Sequence, residues 1–238
     1  MILSRIKQCF IHINLFCMIF LQTTVNCEKL SAHMSLKVQG IGFHRDLTYQ
    51  IHFDHFIEGC YVALYLQLSS ALYLNVNELA HLRKINTVCS SGETDVELFA
   101  ENAQVQNVTI CSYLSHTDCA MKIPIHQRYQ YANRNNRYMN ITLPRPKLLL
   151  GCKQRIREYR ISKTDLCSSC AETASKWREI PYSMVNSKDV EDIWTIPVGD
   201  INMVSLVSYV TLIITALCTI FLVQTIRKSV PRQHPKRE

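Results

Sequence analysis

Glycine and proline are scarce, six and seven in 238 residues, which excludes a collagen-like or low-complexity chain. The local signatures of common catalysts are missing too. There is no GxSxG elbow, no HExxH pair and no glycine-rich phosphate cradle. Between the hydrophobic ends no Asp-x-Asp occurs, the feature expected of many metal-dependent glycosyltransferases. His52 and His55 are three apart in a strand-like stretch, a spacing that sets them on opposite faces and unfits them for one metal. No catalytic, cofactor-binding or metal-binding residue is therefore expected, and the chain is not read as an enzyme. Residues 171–200 hold Pro181 and Pro197 and no heptads, against the long helix of a p24-like cargo receptor. The Cys…Trp…Cys core of an immunoglobulin-type surface receptor is also absent. These two remain the alternative readings.

What is present begins at the ends. Arg5 and Lys7 precede the apolar run Leu15–Leu21, too short for a hydrocarbon core that needs about 20 residues. With Val25 and Cys27 at the −3 and −1 positions, residues 1–27 read as a secretory signal. Residues 203–223 carry no charge and have the length of a membrane-spanning helix. Arg227, Lys228, Arg232, Lys236 and Arg237 follow, so the tail, 224–238, is expected in the cytosol and residues 28–200 in the lumen. In the span, Ser205, Ser208, Thr211, Thr215 and Thr219 recur at steps of three and four and share one face. Such a face suits packing on another membrane helix. Equally, each hydroxyl could bond back to the carbonyl one turn earlier and leave the helix facing lipid.

The formal charge of +7 lies mostly in the signal and the tail. The domain between is nearly balanced, so nucleic acid is not an expected partner. Within it, residues 122–163 concentrate eleven basic side chains against one acid. That block could face lipid headgroups or an acidic partner, or be a solvated face neutralised by the domain itself.

Alternation predicts strands at Leu47–Asp54 and Cys60–Leu68, the second with aromatics on its far face, as for a strand covered on both sides. Shorter strands are expected at Asp95–Ala100, Val108–Leu114, Met121–His126, Tyr138–Leu143 and Trp194–Val198, and a short capped helix at Asn77–Lys84. A mainly β, sandwich-like domain with one C-terminal transmembrane helix follows. Asn107 and Asn140 head glycosylation sequons. Cleavage after Cys27 leaves seven cysteines as disulfide candidates: Cys60, Cys89, Cys111, Cys119, Cys152, Cys167 and Cys170. Seven is odd, so at least one is free or joined to another chain. Cys167 and Cys170 form a CxxC, but no strand precedes them as in a thioredoxin-like redox site, which favours structural disulfides.

Gly42-Phe43-His44-Arg45-Asp46-Leu47, together with Tyr73–Arg83, resembles the phosphatidylinositol-glycan biosynthesis class X family. His126–Tyr129, Leu148–Cys152 and Pro197–Gly199 match in the same order. The resemblance implies a protein of the endoplasmic-reticulum membrane, the non-catalytic subunit of glycosylphosphatidylinositol (GPI) mannosyltransferase I. Its partner would be a multi-span catalytic subunit. That subunit transfers the first mannose from dolichyl-phosphate-mannose to the glucosaminyl-phosphatidylinositol intermediate.

Overall fold

The computed structural model describes residues 30–79, 86–134, 137–156, 158–185 and 193–229. The signal segment, most of the basic tail and residues 80–84 of the expected helix lie outside them. Twelve strands are described. They are β1 (Ala32–Gln39), β2 (His44–Phe53), β3 (Cys60–Leu68), β4 (Leu72–Tyr73), β5 (Thr87–Gly92) and β6 (Gln106–Tyr113). After them come β7 (Asp118–Gln127), β8 (Tyr138–Thr142), β9 (Lys147–Cys152), β10 (Trp177–Glu179), β11 (Tyr182–Met184) and β12 (Ile193–Pro197). Two helices are described, α1 (Ser168–Ala171) and α2 (Val204–Ser229).

The strands form two five-stranded sheets, β11-β1-β2-β7-β4 and β10-β9-β3-β6-β5, with β12 and β8 as a separate pair. All neighbours are antiparallel except β1 and β11. The alternation in β2 turns Leu47, Tyr49, Ile51 and Phe53 inward, and that in β3 turns Val62, Leu64, Leu66 and Leu68 inward. These residues share one buried cluster with Ile123 and Ile125 of β7 and Val108 and Ile110 of β6, so the sheets pack face to face. Each such side chain removed from water contributes ~1.5–3 kcal/mol. Trp194 and Ile196 of β12 and Ile141 of β8 belong to the same cluster and close one end of the sandwich.

The second sheet is covered on its outer face as well. Ala63, Cys111 and Leu149 form a smaller buried cluster with Leu166, Cys170 and Trp177, and Tyr61 and Tyr65 pack against it. The segment around α1 therefore acts as a lid over β3, β6 and β9. Gly151 permits the contact: a Cβ there would stand 2.5 Å from the Ala174 methyl and 3.0 Å from the Trp177 ring. Disulfides Cys89–Cys167 and Cys111–Cys170 fasten the lid to β5 and β6, while Cys60–Cys152 ties β3 to β9. Cys119 is the odd thiol of the domain.

Two local expectations need correction. Residues 95–100 form a loop instead of a strand. The Glu93 carboxylate accepts from Asp95 N–H and the Asp95 carboxylate from Glu97 N–H, local bonds that compete with a ladder. The Arg128 guanidinium then takes the carbonyls of Asp95 and Leu98. The described part of the expected helix is a 3-10 turn, Val76–Glu78, capped two residues earlier than expected by Asn75. The stretch before the span, where a cargo receptor would need a heptad helix, contains β10, β11 and β12.

Candidate functional site

The antiparallel register of β2 and β7 places His44 directly opposite His126, and β4 places Tyr73 opposite His126 from the other side. All three side chains therefore point to the outer face of the first sheet. The imidazoles of His44 and His126 meet edge to face, with Nδ1 of His44 3.2 Å from Nε2 of His126. Tyr73 stacks on His126, and Glu78, brought in by the 3-10 turn, lies 3.0 Å from the same Nε2. Arg128 sits 4.7 Å from the centre of the Tyr73 ring and is itself 2% exposed. Burial pushes the Tyr73 phenol up, with the Arg128 charge opposing, and pulls the Arg128 guanidinium down.

The Gly42-Phe43-His44-Arg45-Asp46 motif fits this end of the sheet residue by residue. Gly42, at φ +76°, takes the left-handed turn conformation that glycine adopts freely. Phe43 packs on Tyr129, and its carbonyl accepts the Gln127 N–H at 2.8 Å. Asp46 pairs with Lys122 at 2.9 Å. Arg45 lies on the inner side, 4.5 Å from the centre of the Trp194 indole. Asn133, beyond Tyr129 on the same segment, donates to the Gly199 carbonyl and bridges to Asp200 beside α2. Three of the resembling stretches thus converge on one patch, and Pro197–Gly199 adjoins it. Around it are exposed Ile41 and Tyr129 and the stacked pair Phe99 and Tyr131.

The other expected residues are dispersed. Asn140 is exposed on β8, whereas Asn107 is half-buried near the start of β6. Six of the seven candidate cysteines are paired as described above, and both CxxC thiols bond to strand cysteines rather than to each other. The basic block does not form one face. Lys122 is paired, Arg128 is buried, and Lys147 lies over Tyr65 beside a 560 Å³ groove that Arg160, Lys163, Asp165 and Glu179 also line.

Helix α2 is apolar and exposed along its length, and the stretch Ile201–Ser229 is long enough to cross a membrane. Thr211, Thr215 and Thr219 donate to the carbonyls of Val207, Thr211 and Thr215 at 2.7–2.8 Å, so the back-bonded arrangement holds for these three. Ser208 and Ser205 lie about one and two turns nearer the domain than Thr211, also exposed.

Comparison with known proteins shows the family. The family model described as PIG-X / PBN1 matches residues 41–227, from the hairpin turn before β2 to the end of the span. The chain belongs to the PIG-X / PBN1 family. A human protein named "GPI alpha-1,4-mannosyltransferase I, stabilizing subunit" is 31% identical over 205 residues, covering 79% of this chain and 76% of that protein. Mouse and rat proteins of the same name are each 27% identical, over 210 and 201 residues, covering 79% of this chain and 78% of theirs.

The sequence reading did not single out Tyr73 or Arg128 within their resembling stretches, and it missed the meeting of His44, Glu78 and His126. Each lay in or next to a resembling stretch. Strand register, which brings them together, has no local signature.

Proposed function

We propose that this chain is the non-catalytic, stabilising subunit of a GPI mannosyltransferase I, as its mammalian relatives are named. It supports transfer of the first mannose from dolichyl-phosphate-mannose to the glucosaminyl-phosphatidylinositol intermediate. The observation that carries this reading is the convergence of the family's stretches on a patch continuous with β12 and the start of α2. A surface so close to a membrane anchor is suited to loops of a partner that is itself in the membrane. Exposed Tyr129, Tyr131 and Ile41 offer the aromatic and apolar contacts that anchor such interfaces.

In this reading the partner is a multi-span catalytic subunit in the endoplasmic-reticulum membrane. Residues 28–200 lie in the lumen, carry glycans at Asn107 and Asn140, and cap the partner's lumenal loops. The small face Ser205, Ser208, Thr211, Thr215 and Thr219 packs on one of its helices. A back-bonded threonine keeps this role, because its hydroxyl oxygen still accepts and its small size lets backbones approach. Binding only the folded partner raises that partner's stability by mass action.

Removing the chain from cells tests the proposal. The catalytic subunit should fall in abundance, and mannosylated intermediate should fall with it. Normal partner abundance with reduced turnover alone would overturn the stabilising role.

A further inference from the structure

We propose that His44, Glu78 and His126 form a binding site for a divalent transition metal of the zinc type. The ligand atoms are Nδ1 of His44, Nε2 of His126 and one carboxylate oxygen of Glu78, and all lie within 4.8 Å of one another. The two closest separations are 3.2 Å between the histidine nitrogens and 3.0 Å from Nε2 of His126 to Oε2 of Glu78. Ligands at about 2.0–2.1 Å around a tetrahedral zinc stand about 3.3 Å apart. The observed spacing is already close to that.

Hydrogen bonding among the three groups uses only part of their capacity and leaves one nitrogen to water or to a cation. An imidazole nitrogen offers either one N–H or one lone pair. If Nε2 of His126 carries the proton, it donates to Glu78, and His44 is left without a bond of its own at that nitrogen. If Nε2 is bare, it accepts from His44 and opposes its lone pair to the carboxylate. A cation among the three lets all of them donate electron pairs at once. Two imidazoles and a carboxylate suit zinc better than magnesium or calcium, which favour all-oxygen sets.

The surroundings hold the ligands in place. Tyr73 stacks on His126 at an interplanar angle of 23°, fixing its ring plane. The Asp46 carboxylate, paired with Lys122 at 2.9 Å, stands 4.0 Å from the other nitrogen of His44, Nε2, and adds negative charge beside the site without a hydrogen bond to it. His44 is half-exposed, leaving a side open for water as a fourth ligand. A bound ion would clamp the Val76–Glu78 turn onto β2 and β7. This inference does not rest on the accessory-subunit reading, because its test uses the chain without a partner.

The full chain, purified in mild detergent and stripped with a chelator, is titrated with Zn²⁺ by calorimetry and with Co²⁺ by visible absorption. One equivalent is expected to bind, with Co²⁺ bands of a four-coordinate site and a rise in Tm on adding Zn²⁺. His44→Ala and Glu78→Gln should each weaken Zn²⁺ binding by at least about tenfold and abolish the Tm rise. His52→Ala, at an exposed histidine outside the cluster, should bind as the parent does. His44 is exposed enough that its variant folds even if a His126 variant does not. Absence of stoichiometric Zn²⁺ uptake by the parent overturns the proposal, as does unchanged affinity in His44→Ala and Glu78→Gln.

Discussion

The guanidinium of Arg45 lies 4.5 Å from the centre of the Trp194 indole, joining β2 of the first sheet to the strand that leads into the membrane helix. Trp194 is 3% exposed and belongs to the main core. Trp194→Ala is expected to destabilise the domain by ~3–5 kcal/mol through lost packing. Arg45→Met alone removes the charge over the ring, and the coupling between the two positions should be ~0.5–2 kcal/mol. A double-mutant cycle followed by thermal unfolding measures it, and additive effects would show that the stacking carries no energy.

Arg128 provides a second test. Replacing it with Met keeps bulk but strands the carbonyls of Asp95 and Leu98, and the cost should be ~2–4 kcal/mol. The damage should be local. Hydrogen exchange is expected to accelerate first in residues 93–105, while β2 and β3 keep their protection.

Gly151 is held small by its neighbours rather than by its backbone. Gly151→Val should force Ala174 and Trp177 away from β9 and destabilise by ~1–3 kcal/mol. Loosening of the lid is read as faster reduction of Cys89–Cys167 and Cys111–Cys170 than in the parent. Equal reduction rates would place the contact outside the lid's attachment.

Cys119 tests burial by its chemistry. Desolvation pushes its thiol up to about 11 from the ordinary 9.0, so the reactive thiolate is rare at neutral pH. Alkylation in the folded protein should keep rising tenfold per pH unit past 9 and level off only near 11. In denaturant it should level off near 9. Because the unfolded thiol ionises first, this group leaves stability unchanged below pH 9 and lowers it between 9 and about 11. A folded-state plateau at 9 would contradict the burial.

Much of this was legible in the sequence, and the limits have physical causes. Strands β2, β3, β6, β7, β8 and β12 announce themselves because alternation records which face is wet. β3 even shows the covering of both faces through Tyr61 and Tyr65. Strands β4, β5 and β9–β11 were not singled out, being short or weakly patterned, and β1 was passed over although Ala32, Met34, Leu36 and Val38 alternate with polar residues. The stretch 95–100 imitates a strand, and the local Glu93 and Asp95 carboxylate bonds together with the distant Arg128 decide otherwise. The candidate site was visible as separate stretches of family resemblance. That His44 faces His126 was not, since register depends on the whole sheet and no single segment carries it.

The lid's two disulfides span 78 and 59 residues of chain. During synthesis Cys89 and Cys111 emerge long before Cys167 and Cys170, so two thiols on neighbouring strands must wait for a pair that arrives almost at the end of the domain. Closure of the clasp therefore requires the chain to have been made through residue 170. A chain truncated before residue 167 leaves Cys89 and Cys111 without the partners that fasten the lid, and with them the outer cover of β3, β6 and β9.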